Sequence, residues 1–240
     1  MDWITIYILA GALLLPVFIY GAICHTKINA IYDEYVKVNA DSGVCAAEMA
    51  FKMLAKANVS GVNVVKSNGR LTDCYDPRNK IIKLTKEAYY STSIAALGVA
   101  AHEVGHAIQH HNKHWLFTIR RIIAPVVGFV SKAFLPIVLL GSLFNVMFLL
   151  PTLGYYMIFI SLIFYGAALI FELITLPLEF DASKKALALL KETETLNENE
   201  LSKAKQVLSA AAQTYVASFA STLLYFLRFL SMAMLLRDRD

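Results

Sequence analysis

The residues best suited to chemistry lie together in one segment, His102-Glu103-Val104-Gly105-His106. Residues four apart in a helix share a face, so both imidazoles can bind one metal ion. Glu103 lies about 100° around the helix from His102, where its carboxylate can hold a water molecule beside such a metal. Two nitrogen ligands and one oxygen ligand suit zinc, whose fourth position is left open to water or substrate in catalytic sites. The segment therefore predicts a zinc site with Glu103 as the general base of a hydrolysis reaction.

The third protein ligand must come from outside this segment. The metzincin pattern would need glycine at position 109 and histidine at position 112, but the chain has Gln109 and Asn112 there. The better candidate is Glu179, which follows an apolar run at Pro177 and can open a second helix. Its rival Glu172 lies one to two turns deeper in that run, and Glu179 itself could simply stabilise a helix N-terminus. Three nearby histidines stay open as alternatives: His110, His111 and His114.

Four apolar runs are long enough to cross a bilayer, and hydrophobic residues make up 58% of the chain. The runs cover residues 4–24, 122–150, 153–176 and 216–236. The second run contains Lys132 and exceeds one perpendicular span, so its first part is expected to lie at the membrane interface. Pro151 and Gly154 predict a tight turn that makes the second and third runs a helical hairpin. Such a hairpin returns the chain to the side it left, so the polar stretches before and after it face the same compartment.

These runs divide the chain into five regions of a mainly α-helical membrane protein with about four transmembrane helices. The regions are 1–24, an anchor; 25–121, a zincin-like catalytic domain; 122–176, a transmembrane hairpin; 177–215, the third-ligand and following helices; and 216–240, a C-terminal transmembrane helix. Residues 25–121 hold 13 Lys and Arg residues, and positive charge favours the cytoplasmic side. We therefore expect a multi-pass plasma (inner) membrane protein with a cytoplasmic catalytic domain. The basic residues form no dense cluster, so no nucleic-acid partner is expected.

The catalytic domain is expected to combine a small three-stranded sheet with the motif helix. A capping residue at 41–42 (Asp or Ser) can start a helix that runs to about residue 57. Asn68-Gly69 lies between two β-prone runs, which predicts a hairpin of the strands on either side. Residues 80–85 are expected to form the third strand. A serine or threonine at 91–93 can then cap the motif helix, expected at about 93–111.

Longer stretches of the chain resemble the YugP-type membrane zinc metallopeptidases, also called neutral zinc metallopeptidase family 2. The resemblance spreads over most of residues 42–190 and rests on four segments. They are Gly69–Asp73, Tyr75–Arg78, Ala100–His110 and Leu176–Ser183. The resemblance implies a zinc-dependent membrane peptidase of the gluzincin kind, with His102, His106 and Glu179 as zinc ligands and Glu103 as the base.

The resemblance also implies two features around the site. The wider kin, the HtpX-like and CAAX-prenyl proteases, carry a Glu-x-x-x-Asp motif whose aspartate supports the first zinc histidine. Here Ser183 stands in that place and Asp181 lies two residues earlier, so both are candidates for that support. In gluzincins an edge strand above the zinc helix pairs with the extended peptide substrate, and residues 81–85 are expected to be that strand.

The expected function is hydrolysis of peptide bonds in membrane-associated or unfolded proteins, with Zn2+ as the cofactor. The expected partners are a protein or peptide substrate and the lipid bilayer. One alternative is a site-2-type intramembrane protease, but the polar residues from Gln109 to Lys113 suit a helix outside the apolar core. Another is a non-catalytic membrane scaffold with a structural zinc, but structural sites use four protein ligands.

Overall fold

Helices make up most of the chain in this computed structural model, which describes residues 2–68, 73–147 and 150–237. The prediction of a mainly α-helical protein with a small three-stranded sheet is confirmed. In chain order, the elements are α1 (Trp3–Tyr35), α2 (Ala46–Lys56), β1 (Asn63–Ser67), β2 (Cys74–Asp76), β3 (Ile81–Thr85), α3 (Lys86–Tyr90), α4 (Ile94–His111), α5 (Trp115–Val146), α6 (Pro151–Glu192) and α7 (Glu198–Arg237).

In the part of the chain that the structure describes, four helices are long and apolar enough to cross a membrane: α1, α5, α6 and α7. The 33-residue α1 is about 50 Å long, whereas a hydrocarbon core is about 30 Å thick. Each of the four helices therefore continues beyond its apolar run into a polar stretch. Among the described residues, 11–22% of the most apolar window of each helix is buried, so most of its side chains face outward, as lipid-facing residues do. The expectation of four membrane-length helices is confirmed.

Helix α6 is continuous from Pro151 to Glu192 and contains Pro177. The expected start of a new helix after Pro177 is therefore wrong. A proline removes one main-chain hydrogen bond, and here the helix continues on both sides of it. Gly154 also lies inside α6 rather than in a turn, and its carbonyl oxygen is 3.0 Å from where a Cβ on Gly141 of α5 would lie. The chain passes from α5 to α6 at residues 147–150, of which 148–149 lie outside the described residues.

The sheet has the strand order β1-β3-β2, with β1 parallel and β2 antiparallel to β3. The predicted hairpin of β1 and β2 is wrong, because β3 lies between them. Residues 69–72, which include Gly69 of the expected turn, lie outside the described residues. β3 takes the centre of the sheet because it carries Ile82 and Leu84, whose side chains are fully buried. β3 is paired on both sides over Ile81–Lys83, and the N–H of Thr85 donates to the carboxylate of Asp73 at 2.6 Å. The expected pairing of Ile81–Thr85 with a substrate is therefore also wrong.

Of the two predicted helix caps, one is confirmed. The side chain of Ser93 accepts a hydrogen bond from the N–H of Ala96 at 3.3 Å and caps α4. Helix α2, by contrast, has no cap at 41–42; it follows Cys45, whose side chain makes no capping hydrogen bond. The carboxylate of Asp41 instead accepts a hydrogen bond from the side chain of Asn197 at 2.9 Å, which ties the loop before α2 to the loop before α7.

The chain divides into two compact units. The span unit comprises Met1–Ile23, Ile119–Leu176 and Tyr215–Asp240, and the sheet unit comprises Cys24–Thr118 and Pro177–Thr214. In the sheet unit, α2 and α4 pack with the sheet around a core of fully buried apolar side chains. The largest of these side chains are Met49, Met53, Ile82, Leu84, Ile94, Leu97 and Leu190. This core fixes the apolar face of α4, the helix that carries the histidine motif.

Candidate metal centre

Helices α4 and α6 come into direct contact at Gly105. A Cβ at this position would lie 2.5 Å from the carbonyl oxygen of Ala182 on α6. No side chain fits there, so this packing requires glycine. Gly105 lies next to the face of α4 that carries His102 and His106, so the contact brings α6 against both histidines.

Three of the predicted site residues, His102, His106 and Glu179, meet where these helices touch. One ligand atom of each can be chosen so that all three atoms lie within 4.8 Å of one another. The Oε2 atom of Glu179 lies 3.1 Å from Nε2 of His102 and 3.4 Å from Nε2 of His106. Tetrahedral zinc with bonds of about 2.0–2.1 Å separates its nitrogen and oxygen ligands by about 3.3 Å. The spacing and the donor set therefore fit a zinc ion between these three side chains.

The alternative third ligands have other neighbours. Glu172 accepts a hydrogen bond from Ser218 at 3.0 Å within the span unit. The Nδ1 atom of His110 lies 2.7 Å from the hydroxyl oxygen of Tyr75. Within the described residues, the group that could hold a metal includes none of the other candidates: Glu172, His110, His111 and His114. The geometry therefore favours Glu179 as the third ligand.

The second ring nitrogen of each histidine also has a partner. Nδ1 of His102 lies 3.1 Å from the hydroxyl oxygen of Ser183, one turn after Glu179 on α6. Nδ1 of His106 lies 2.9 Å from Oε1 of Gln109, nearly one turn further along α4. Both rings are thereby held with Nε2 toward Glu179. Of the two candidate supports of the first histidine, Ser183 makes the contact, whereas Asp181 accepts a hydrogen bond from Gln109.

Glu103 lies beside this group, and the main chain of β2 holds its carboxylate. The Oε2 atom of Glu103 accepts a hydrogen bond from the N–H of Tyr75 at 2.6 Å. Burial raises the pKa of Glu103 to about 7, although His102 and the hydrogen bond from Tyr75 act in the opposite direction. A carboxylate with such a pKa can accept a proton from water near neutral pH and release it again.

Phe117 packs against two histidines of the motif helix. Its ring centroid lies 6.2 Å from that of His106 and 5.4 Å from that of His110. The ring of Tyr75 lies 6.4 Å from Phe117 in the same cluster. These rings give the site an apolar wall, which strengthens electrostatic interactions beside it.

The contacts of Gln109 and Tyr75 were harder to read from the sequence than the ligands themselves. Gln109 follows His106 by three residues, the spacing of neighbours on one helix face, and this spacing could have pointed to it. Tyr75 is one of several polar residues near a predicted turn. Only the folded sheet shows that its N–H reaches Glu103.

Most of the chain is also similar to known proteins. Residues 10–234 match the family described as "Putative neutral zinc metallopeptidase". The chain is also 38% identical over 214 residues to "Putative membrane protease YugP" of Bacillus subtilis (strain 168), an alignment that covers 89% of this chain and 92% of that relative. No solved structure matches the chain significantly. With its four membrane-length helices, the chain is a membrane protein that belongs to this neutral zinc metallopeptidase family.

Proposed function

We propose that the protein is a membrane-embedded zinc metalloendopeptidase of the gluzincin kind, which cleaves peptide bonds in membrane-associated or unfolded proteins. The observation that carries this proposal is the meeting of His102 and His106 from one helix with Glu179 from another. These three residues are the proposed zinc ligands. Three protein ligands leave a fourth position open, as in catalytic rather than structural zinc sites.

Zinc held by these residues would supply a Lewis acid that lowers the pKa of water and polarises the scissile carbonyl. Glu103 accepts a proton from the attacking water while the water oxygen bonds to the carbonyl carbon. Glu103 then passes this proton to the leaving amine nitrogen as the C–N bond breaks. The N–H of Tyr75 keeps the carboxylate of Glu103 in place during both transfers.

The outer edge of β2 is the proposed place for the main chain of the substrate. β3 is central, so an extended peptide can extend this sheet at its outer strands only. The N–H of Tyr75 in β2 donates to Glu103 and therefore points away from β3. The outer edge of β2 thus lies beside the proposed base. A peptide held along this edge by main-chain hydrogen bonds would have its scissile bond close to Glu103.

The position of the motif argues against a site-2-type intramembrane protease. The two histidines lie in the 18-residue α4, which is not among the four membrane-length helices of the described chain. A non-catalytic scaffold is disfavoured by the number of ligands, because closed structural zinc sites have four protein ligands and only three meet here among the described residues.

We further propose that the sheet unit faces the cytoplasm from the plasma membrane. Residues 25–121 carry 13 Lys and Arg residues, and basic residues favour the cytoplasmic side. The three cysteines of the chain are free thiols, as expected in a reducing compartment. Substrates would accordingly be cytoplasmic protein segments near the membrane.

The experiment that tests the activity is Glu103→Gln, with Glu87→Gln as the matched control. Glutamine keeps the size of glutamate but cannot take up the proton, so cleavage of unfolded casein in detergent micelles should fall about 100- to 10,000-fold. Bound zinc should be unchanged. Glu87 is exposed on α3, and its replacement should leave cleavage as in the wild type.

Wild-type cleavage by Glu103→Gln would overturn this mechanism. Zinc binding without cleavage of any tested protein, by the wild type and the control alike, would instead favour the non-catalytic scaffold.

A further inference from the structure

Gln109 makes hydrogen bonds that fix which way its amide group points. Its Nε2 donates to the main-chain carbonyl oxygen of Leu178 at 2.8 Å and to the carboxylate of Asp181 at 2.8 Å. A main-chain carbonyl can only accept, so the NH2 end of the amide must face α6. The Oε1 atom therefore faces Nδ1 of His106, 2.9 Å away. Gln109 is 0% exposed, so bulk water does not compete for these bonds.

This orientation determines which nitrogen of His106 carries the proton. An amide oxygen only accepts, so Nδ1 of His106 must donate. A neutral imidazole has one N–H group, which leaves Nε2 of His106 with its lone pair. That lone pair points toward Oε2 of Glu179, 3.4 Å away. Two lone pairs that face each other repel, whereas a cation between them binds both.

Ser183 supports His102 in a different way. A serine hydroxyl can rotate to donate or to accept, so its 3.1 Å contact with Nδ1 of His102 fits either tautomer of that ring. The amide of Gln109 cannot adapt in this manner, because Leu178 and Asp181 hold its other end. Asp181 is itself held by an ion pair with Lys185, one turn further along α6. The hydrogen-bond partner of His106 therefore fixes the tautomer of that ring, whereas the partner of His102 does not.

We infer that Gln109 and Asp181 are positioning residues that lock His106 in its metal-binding tautomer. This set of hydrogen bonds, which we call the lock, joins the two helices of the site. Gln109 belongs to α4, while Leu178 and Asp181 belong to α6. It supports the second histidine of the motif, whereas the aspartate of the wider kin supports the first. This inference rests on the proposed zinc site, since it assigns the lock to one of that site's ligands.

Zinc affinity of the full-length protein in detergent micelles tests the lock. Gln109→Met keeps the length of an unbranched side chain and the helix propensity but loses every hydrogen bond of the amide. Competition with a chromophoric chelator at fixed pH should show about a 10- to 100-fold loss of zinc affinity. Ser183→Ala is the matched control at the other histidine and should lower the zinc affinity by a smaller factor. The unfolding transition of the chelated protein shows whether each variant folds.

Double variants separate a lock from general packing. Gln109 and Asp181 act through one chain of contacts, so Asp181→Ala should add little to the loss already caused by Gln109→Met. Ser183 acts on the other ring, so the losses from Gln109→Met and Ser183→Ala should multiply. Nitrogen-15 NMR of labelled histidine in the chelated protein gives a further readout, since Gln109→Met should remove the fixed Nδ1–H state of His106.

The zinc affinities of the wild type and the variants separate failure of the lock from failure of the proposed function. Equal zinc affinity of the wild type and Gln109→Met would overturn the lock and leave the proposed function intact. Failure of the wild type to bind zinc would overturn the proposed function itself. If Gln109→Met does not fold, Asp181→Ala alone is measured: a smaller loss of affinity in the same direction supports the lock, and an unchanged affinity overturns it.

Discussion

Burial and nearby charge act against each other at Glu103. Burial disfavours the ionised carboxylate and raises its pKa to about 7, while the neighbouring His102 favours the ionised form. A general base must lose its proton readily and yet take one up, and a pKa near the working pH serves both needs. The same burial makes the folded state sensitive to pH when no metal is bound.

The metal-free protein is expected to lose stability as the pH rises from about 4.5 to about 7. Glu103 ionises with its ordinary pKa of 4.5 in the unfolded chain and with a pKa of about 7 in the folded one. Its contribution to stability is therefore fully present below the lower value and is lost as the pH passes through the higher one. In chelator and detergent, the thermal midpoint of the wild type should fall more steeply over this range than that of Glu103→Gln. Parallel curves would contradict a buried carboxylate.

The residues of one helix turn could be predicted from the sequence, whereas contacts across the fold could not. The spacing of His102 and His106 is enough to place two imidazoles on one face. The position of Glu179 just beyond the apolar run favoured it over Glu172, but only the resemblance implied it as a ligand, because spacing alone left more than one carboxylate available. The role of Gln109 depends on Leu178 and Asp181, about 70 residues away, and no local pattern reports that contact.

Two glycines of α4 have different surroundings. A Cβ on Gly105 would lie 2.5 Å from the main-chain oxygen of Ala182, whereas a Cβ on Gly98 would lie 3.9 Å from the Cβ of Ala204. The first distance is a clash with backbone, and the second is ordinary van der Waals contact. The pair therefore separates the packing of α4 against α6 from the general effect of alanine in a helix.

Gly105→Ala should destabilise the protein by about 1–3 kcal/mol and weaken zinc binding. The added methyl group pushes Ala182 away, and Glu179 lies three residues earlier on the same helix. Gly98→Ala should be neutral or stabilising by up to about 1 kcal/mol, because alanine is the better helix former. Denaturant unfolding and metal analysis of both variants measure these effects. The same stability and zinc content in both variants would refute the close approach of the helices.

The start of a helix depends on neighbouring residues and could be predicted from the sequence. The order of the strands and the effect of a proline depend on contacts across the fold and could not. Helix α4 begins after Ser93 because a serine hydroxyl satisfies a main-chain N–H within one turn. Asn68-Gly69 is also a local signal, but burial decides which strands are neighbours. Because Ile82 and Leu84 are buried, β3 lies at the centre of the sheet. The effect of Pro177 likewise depends on what surrounds it, so a proline in the sequence did not predict a break.

One continuous helix carries both the third apolar run and the proposed third ligand. Glu179 lies three residues beyond the end of that run at residue 176, which is about 5 Å along α6. On this helix the proposed ligand therefore lies within one turn of the apolar run. This position suits a peptidase whose substrates are close to the membrane.

The exposed Cys74 can report which side of the membrane the sheet unit faces. Cys24 is buried and Cys45 is partly exposed, so Cys45→Ser leaves Cys74 as the accessible thiol. A membrane-impermeant maleimide should then label Cys74 in inside-out vesicles and leave it unlabelled in spheroplasts. The variant that also carries Cys74→Ser should stay unlabelled in both preparations. Labelling of Cys74 in spheroplasts would reverse the proposed orientation.

The zinc content of the purified protein, measured by mass spectrometry of the metal, tests the central claim most directly. Two glutamates of α6 provide the comparison, because Glu179 meets the motif histidines while Glu172 pairs with Ser218. The wild type and Glu172→Gln should each hold about one zinc ion per chain, and Glu179→Gln should lose most of it. Full zinc content in Glu179→Gln would contradict the proposed metal centre.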